Sequence, residues 1–247
     1  MIIARTGQFL ILHVPAHWLS RRMRYYPIFL NLENKACLVV GAGEVGKRKI
    51  QSLLDSGAGH VTIIDTREAD AEMESILDVD TVDFQCREFV DSDLDGKFLV
   101  IACTSSEMVN QHISTLCADR NILCNVVDQP EKCSFIVPAT IKRGDLTVAI
   151  STAGQSPAMA KRIRRDLQES FGDEYAALLT LMGRLRPLML GLGQETNNNT
   201  AVFRSLVNSD LLAAIKNKNL DAAREILKES LPEPLYANIP EMLDGLI

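Results

Sequence analysis

Short apolar runs rich in β-branched residues alternate with amphipathic segments through the first 151 residues of the chain. The apolar runs predict strands at residues 36–40, 61–65, 98–103, 122–127, 135–137 and 146–151. Helices are predicted between strands at 44–56 and 107–119. Strands that alternate with helices form βαβ units, and nearly continuous apolar strands are typical of a sheet that is buried on both faces. The pattern therefore predicts an α/β fold built on a parallel sheet.

The pattern changes after residue 151. Helical periodicity predicts three helices, and a loop is predicted where Gly191, Gly193 and the asparagines at 197–199 interrupt that periodicity. The predicted helices lie at 157–171, 174–190 and 210–229. We therefore divide the chain into an α/β domain at 25–137, a short connecting unit at 138–175 and a helical C-terminal domain at 176–247.

Residues 1–24 contain four arginines, a short apolar stretch and no acidic residue. They lack the long apolar core and the cleavage site of a secretory signal, and they contain too little serine for a transit peptide. We expect this segment to be a disordered extension, or the product of a translation start assigned upstream of Met23.

Composition and charge narrow the class of protein. Hydrophobic residues make up 47% of the chain and charged residues 23%, as in ordinary globular proteins. The net charge of −6 argues against general nucleic-acid binding, and no apolar run approaches the ~20 residues that span a bilayer. The six cysteines form no Cys-x-x-Cys pair, which predicts reduced thiols in a cytoplasmic protein rather than a metal site.

A glycine motif follows the first predicted strand and opens the first predicted helix. In Gly41-Ala42-Gly43-Glu44-Val45-Gly46, the first glycine permits a tight turn, the second lets the backbone approach a pyrophosphate, and the third lets the helix pack closely on the strand. The helix N-terminus then offers N–H groups and a positive dipole end to phosphates. The motif predicts a Rossmann-like nucleotide-binding domain; a purely structural glycine turn is the alternative.

Asp65 closes the second predicted strand, where a carboxylate can accept both hydroxyls of a ribose. An acid at this place repels a 2′-phosphate, so NAD is favoured over NADP, although Arg67 weakens that preference. Further cofactor contacts are expected from Glu44, Val45, Thr66, Thr104 and Asn125. For Asn125, holding a loop is the alternative role.

Three more motifs follow the nucleotide-binding pattern. Asn125-Val126-Val127-Asp128 places a carboxylate where a strand ends, Phe135-Ile136-Val137-Pro138-Ala139 follows it, and Ser156-Pro157 leads into a basic segment. With the glycine motif and Pro27-Ile28-Phe29-Leu30, these residues resemble the precorrin-2 dehydrogenase/sirohydrochlorin ferrochelatase family, the N-terminal module of siroheme synthase. The resemblance covers residues 25–170, and the chain past residue 175 matches only loosely. Because the sequence lacks the methyltransferase domain of the fused enzymes, the resemblance implies a stand-alone form.

The resemblance implies NAD-dependent oxidation of precorrin-2 to sirohydrochlorin, and also insertion of Fe²⁺, as a substrate metal, to give siroheme. In the family, the aspartate that matches Asp128 is the acid/base group of both steps. Oxidation removes a hydride and a proton, and NAD⁺ takes the hydride while a carboxylate can take the proton. Chelation releases pyrrole N–H protons, so one base can serve both reactions. The alternative for Asp128 is a turn cap, since Asp-Gln-Pro is typical of a turn.

The helix predicted at 157–171 carries several cations and no acid in its first turns. Guanidinium and ammonium groups suit the carboxylates of precorrin-2, whereas a solvated helix face is the alternative. Candidate substrate-binding residues are Ser156, Lys161, Arg162 and Arg165. Ser156 and Pro157 are also a typical N-cap and first helical residue. Some family members carry a phosphorylatable serine where this chain has Thr152, which makes Thr152 a modification candidate.

The resemblance also implies a homodimer with the active site at the subunit junction, so that residues 138–175 are expected to act in dimerisation and substrate binding. The helical tail is expected to pair with a second copy. Two other functions stay open: a dehydrogenase without chelatase activity, and a non-catalytic NAD-sensing regulatory module that needs the glycine loop but not Asp128. His112 is expected to have a surface or packing role.

Overall fold

A computed structural model describes residues 25–193 and 195–247. The extension predicted at 1–24 lies outside the described residues. The chain divides into two compact units, one that ends at Val137 and one that begins at Pro138.

The first unit holds a parallel five-stranded sheet with strand order β3-β2-β1-β4-β5. The strands are β1 (Ala36–Val40), β2 (His60–Asp65), β3 (Val82–Cys86), β4 (Leu99–Ala102) and β5 (Leu123–Val126). Three helices connect them: α1 (Glu44–Leu54), α2 (Ala71–Leu77) and α3 (Glu107–Asp119). The strand order reverses between β1 and β4, and open α/β sheets bind ligands outside the carboxyl ends of strands at such a point.

Successive residues of β1 contribute to two separate apolar layers. Val39 packs in the layer that contains Ile50 of α1, and Leu38 packs in the layer that contains Ile113 of α3. These side chains are fully buried, so helices cover both faces of the sheet. The prediction of an α/β fold with a Rossmann-like parallel sheet is confirmed.

The second unit begins with a hairpin of β6 (Ala139–Arg143) and β7 (Leu146–Ile150), which pair antiparallel. The helices that follow are α4 (Pro157–Ser170), α5 (Glu174–Gly191), α6 (Thr196–Asn208), α7 (Leu211–Lys216), α8 (Leu220–Ser230) and α9 (Ile239–Leu243). Leu181, Leu185 and Met189 of α5 are fully buried in an apolar cluster to which α6 to α9 all contribute. Within the described ranges, none of these helices combines the length and the apolar character that crossing a bilayer requires.

The structure corrects the strand predicted at 135–137. The strand starts instead at Ala139, and the side-chain amide of Asn125 donates to the carbonyl oxygen of Phe135 at 3.1 Å. A side chain, rather than a β-ladder, therefore supports the backbone at Phe135. Strand β3 was missed because Asp83 and Gln85 interrupt its apolar run; it lies at the sheet edge, where fewer positions need to be apolar.

The helical region also departs from prediction at two places. The asparagines at 197–199 lie in the first turns of α6 rather than in a loop, because packing of the buried Leu206 outweighs the weak helix propensity of asparagine. The single helix predicted at 210–229 is broken into α7 and α8. Lys218 adopts left-handed backbone with φ of 53°, and Asn219 then caps α8 by accepting from the N–H of Ala222 at 3.1 Å.

Candidate functional site

The glycine motif forms the turn from β1 into α1. Gly41 has φ of 102°, and a Cβ there would lie 2.6 Å from the carbonyl oxygen of Cys103, just after β4, so the turn requires glycine. A Cβ on Gly46 would collide with the carbonyl group of Gly41, which shows how closely α1 packs on the strand. Gly43 is the N-cap of α1 and provides no side-chain hydrogen bond to the first N–H groups of the helix, which are groups that can bind an anion.

A cavity of about 1160 Å³ opens at this edge of the sheet. Residues at or just after the ends of β1, β2, β4 and β5 line it, together with the first turns of α1 and α3. Nine residues predicted to bind the cofactor or to act on the substrate share this lining: Gly41, Gly43, Glu44, Val45, Gly46, Asp65, Thr66, Thr104 and Asp128. The fold therefore brings the glycine loop and Asp128 to a single cavity.

Asp65 joins the end of β2 to the glycine loop. Its carboxylate accepts from the N–H of Ala42 at 2.6 Å, from the N–H of Arg67 at 2.8 Å, and from the Arg67 guanidinium. Burial raises the pKa of this carboxyl group, but the hydrogen bonds from Arg67 and Ala42 outweigh burial and hold the pKa below its ordinary value. Asp65 is therefore ionised and already engaged by the protein, a feature that the sequence pattern did not reveal.

Asp128 lies in an exposed turn after β5 and has left-handed backbone, with φ of 60°. Aspartate is one of the few residues that tolerate this conformation. Cys133 supports the turn: its sulfur accepts from the N–H of Val126 at 3.1 Å and donates to the carbonyl oxygen of Gln129 at 3.3 Å. The turn role and the chemical role are thus compatible, because the backbone makes the turn while the residue lines the cavity.

Lys49 of α1 was not predicted as a site residue. It is half-buried, and burial lowers the pKa of its ammonium group, while Cys103 and Asp128 are among the neighbours that raise it in part. Lys49 therefore places a positive charge within electrostatic range of Asp128. Its position one helical turn after Gly46 was the available sequence indication.

Asn110 of α3 is a second residue that the sequence reasoning missed. It is buried, its side-chain oxygen accepts from the N–H of Thr104 at 3.2 Å and from the Thr104 hydroxyl at 2.8 Å, and its amide donates to the Thr104 carbonyl oxygen at 3.0 Å. The sequence does contain one indication of this role, because Asn110 is a polar residue on the buried face of a predicted helix. Asn110 fixes the turn after β4 that borders the cavity.

Asn125 is placed differently from the other predicted cofactor contacts. It is buried, its amide donates to Phe135, and the described lining of the cavity does not include it. These contacts favour the loop-holding role over contact with a cofactor.

His112 lines the cavity in company with Asp91 and Phe89. Its Nε2 lies 2.7 Å from Oδ1 of Asp91, and its ring meets the Phe89 ring edge-on with centroids 6.4 Å apart. The predicted surface or packing role agrees with these contacts, but its place beside the cavity could not be predicted, because Asp91 and Phe89 are distant from His112 in the chain.

The remaining candidates belong to the second unit. Ser156 caps α4, because its hydroxyl accepts from the N–H of Met159 at 3.2 Å, and the Thr152 hydroxyl donates to the carbonyl oxygen of Ser156 at 3.1 Å. Three cations at the start of α4 are exposed: Lys161, Arg162 and Arg165. Arg162 also pairs with Asp166 at 3.6 Å. Structural roles thus account for both hydroxyls, and the cations remain accessible in this unit.

Two protein families match consecutive parts of the chain. The family described as NAD(P)-binding matches residues 28–139, and the family described as Sirohaem biosynthesis protein central matches residues 143–170. Siroheme synthase of Thioalkalivibrio sulfidiphilus is 35% identical over 209 residues, which are 85% of this chain and 42% of that protein. Siroheme synthase 2 of Klebsiella pneumoniae is 34% identical over 214 residues, which are 86% of this chain and 46% of that protein. The chain thus spans less than half the length of these curated relatives.

A solved structure agrees with the family matches. That of SirC, precorrin-2 dehydrogenase, superimposes with a TM-score of 0.71 at 24% identity, and the match covers 83% of this chain and 98% of that one. This likeness shows a shared fold. Because the two family matches follow one another, together cover more than half of the sequence and agree with the siroheme synthase relatives, the chain belongs to the sirohaem biosynthesis family that these matches describe.

Proposed function

We propose that the chain catalyses the nicotinamide-dependent oxidation of precorrin-2 to sirohydrochlorin, with NAD⁺ as the hydride acceptor. The observation that carries this proposal is that Asp128 and the glycine loop line one cavity at the carboxyl edge of the sheet. The names of the relatives, siroheme synthase and precorrin-2 dehydrogenase, support the choice of substrate. A nucleotide-sensing module would need the glycine loop but would not need a carboxylate held in a left-handed turn beside it.

The residues of the cavity fit a dinucleotide. The backbone of Gly43 is open, since the nearest described atom to a Cβ placed there is Nη2 of Arg67 at 3.5 Å, and the start of α1 offers uncapped N–H groups to a pyrophosphate. We assign cofactor contacts to four further lining residues: Glu44, Val45, Thr66 and Thr104. When bound, the nicotinamide ring supplies the hydride acceptor.

We assign the proton released in the oxidation to Asp128. The carboxylate is exposed in the cavity, so it can take a proton from the substrate and pass it to water. Cys133 holds the turn that carries this base, which limits the motion that would misplace it. Asp128 therefore needs no further partner to act as a general base.

We propose that the same carboxylate serves the insertion of Fe²⁺, the substrate metal, into sirohydrochlorin. Metal insertion has to remove pyrrole N–H protons, and we assign these protons to the same proposed base, Asp128. Across the described residues, no group of three or more His, Cys, Asp or Glu side chains is arranged to hold a metal ion.

Two further parts of the proposal concern recognition. We assign the substrate carboxylates to the exposed cations of α4, Lys161, Arg162 and Arg165, with Ser156 at the helix start. We also propose that the chain acts as a homodimer, as the family resemblance implies. Light scattering during size-exclusion chromatography checks the second point, and a monomer at micromolar concentration would contradict it.

The oxidation is tested by mixing the purified chain with precorrin-2 and NAD⁺ without oxygen and recording the absorbance of the macrocycle. Asp128→Asn should lower the rate by about 10²–10⁴-fold. Asparagine tolerates left-handed backbone, so this variant should keep its fold and its NAD⁺ binding. Glu88→Gln removes a negative charge from the same cavity lining and serves as the control, with a rate close to that of the unsubstituted chain.

Three outcomes would contradict parts of the proposal. If the unsubstituted chain leaves the spectrum unchanged, the oxidation is refuted. If Asp128→Asn keeps full activity, the assignment of the base is refuted. When Fe²⁺ is then added, metal insertion no faster than the spontaneous rate would leave a dehydrogenase without chelatase activity.

A further inference from the structure

At the end of β2, where the sequence predicts contact with a ribose, Asp65 and Arg67 form an ion pair. The hydrogen-bonding capacity of the Asp65 carboxylate is fully used. An ionised carboxylate has about four lone-pair sites. On Asp65, Oδ2 accepts from the N–H of Ala42 at 2.6 Å and from Nη2 of Arg67 at 3.4 Å, while Oδ1 accepts from the N–H of Arg67 at 2.8 Å and from its Nε at 3.3 Å. Asp65 can therefore accept two ribose hydroxyls only if the Arg67 side chain leaves.

The cation of this pair is the member that faces the cavity. The Arg67 side chain is 72% exposed, whereas that of Asp65 is 8% exposed, and both residues line the cavity. Nη2 of Arg67 lies 3.5 Å from the position of a Cβ on Gly43, so the guanidinium reaches the middle of the glycine loop. Its remaining N–H donors are free of Asp65, and guanidinium groups bind phosphate oxygens in a forked geometry.

One further acid acts on this charge, and that acid is itself paired. Asp70 has an electrostatic influence on Arg67, and its carboxylate is paired at 2.6 Å with the buried Lys47, which also pairs with Glu72 at 2.7 Å. Asp65 and Arg67 together carry no net charge, so a 2′-phosphate at the ribose would meet an exposed guanidinium rather than an unpaired carboxylate. This reverses the electrostatic argument by which an acid after β2 rejects NADP.

We propose that this chain accepts NADP⁺ as well as NAD⁺, with Arg67 as the ligand of the 2′-phosphate. The proposal rests on the nicotinamide-dependent function proposed above and concerns only which dinucleotide the same site takes. Asp65 acts as a positioning residue in this arrangement, because it holds the guanidinium beside the glycine loop.

Isothermal titration calorimetry of the full chain with NAD⁺ and with NADP⁺ tests the proposal. We expect the dissociation constant for NADP⁺ to lie within about tenfold of that for NAD⁺. Arg67→Gln should weaken NADP⁺ binding by about 10–100-fold, the effect of losing a hydrogen bond to a charged group, while NAD⁺ binding stays the same or improves as Asp65 is released. Arg120→Gln is the matched control, because Arg120 pairs with Asp95 at 2.9 Å and is not among the described residues of the lining.

Smaller probes keep the test valid if Arg67→Gln folds poorly. On the unsubstituted chain, adenosine 2′,5′-bisphosphate should bind at least about tenfold more tightly than adenosine 5′-monophosphate. If NAD⁺ binds and NADP⁺ does not, or if Arg67→Gln weakens both equally, the role of Arg67 is overturned and the proposed oxidation stands. If neither dinucleotide binds, both proposals fall.

Discussion

Two glycines of the motif should respond in opposite ways to the addition of one methyl group. A Cβ on Gly46 would fall inside contact distance of the Gly41 carbonyl oxygen and 3.3 Å from the Cys103 sulfur, so α1 would have to move away from the sheet. A Cβ on Gly43 would meet nothing closer than the Arg67 guanidinium at 3.5 Å, an ordinary contact, and Gly43 already has φ of −70°. Gly46→Ala should therefore damage the fold, and Gly43→Ala should damage only the ligand site.

The expected magnitudes follow from these contacts. Overpacking against a rigid backbone costs about 1–3 kcal/mol, so Gly46→Ala should lower the melting temperature of the first unit by about 2–12 °C. Gly43→Ala should leave that temperature unchanged or slightly raised, because alanine restricts the unfolded chain. The methyl group would however stand where the backbone approaches a pyrophosphate, so NAD⁺ affinity should fall by about tenfold or more.

Differential scanning calorimetry with and without NAD⁺ measures both effects. Any transition that belongs to the second unit serves as an internal control and should not move in either variant. At a ligand concentration of 100 Kd, binding stabilises the unsubstituted chain by about 2.7 kcal/mol, and a tenfold weaker affinity in Gly43→Ala should remove about half of that gain. Equal melting temperatures for Gly46→Ala and the unsubstituted chain, or full NAD⁺ affinity in Gly43→Ala, would refute this account of the loop.

Three other predictions concern stability. Leu185→Ala, at a fully buried position of α5, should lower the free energy of unfolding measured by chemical denaturation by about 2–5 kcal/mol. Leu190→Ala, at an exposed position of the same helix, should change it by less than about 0.5 kcal/mol. Equal effects would contradict the packing described. Hydrogen bonds from Arg87 hold the pKa of Asp93 below its ordinary 3.8, so the stability that this pair contributes is present above pH 3.8 and is lost as the pH falls through the lower folded pKa. Asp93→Asn should lower the free energy of unfolding by about 1 kcal/mol at pH 7 and by progressively less as the pH falls below 3.8, and a constant difference would contradict the pairing. Asp128→Ala should be about 1 kcal/mol less stable than Asp128→Asn, because alanine tolerates left-handed backbone poorly, and equal denaturation midpoints would show that the turn relaxes.

Local patterns were sufficient to predict the nucleotide-binding half of the fold. Glycine spacing and continuous apolar strands each act within a few residues, so β1, α1 and β2 could be predicted without tertiary information. Strand β3 and helix α6 could not, because the first is a half-polar edge strand and the second depends on the packing of Leu206 in a core assembled from distant segments. Such elements are determined by their neighbours rather than by their own composition.

The candidate site divides in the same way. Asp128 could be predicted because it ends a strand at the edge where ligands bind, and the glycines could be predicted because each has a distinct steric reason. The hydrogen bonds by which Arg67 saturates Asp65 could not be predicted, because they depend on side-chain conformation. The sequence thus indicated residues that line the cavity, but not which of their charges are already paired.

The support of the Asp128 turn by a thiol ties the position of the candidate base to the chemical state of Cys133. Sulfur is larger and softer than oxygen, and the turn is shaped around its longer contacts with Val126 and Gln129. Converting Cys133 to a sulfenic acid would add an oxygen atom in the middle of this arrangement and displace the backbone on which Asp128 sits. Oxidation of this one thiol would therefore alter the position of the carboxylate while every described residue that lines the cavity keeps its chemical identity.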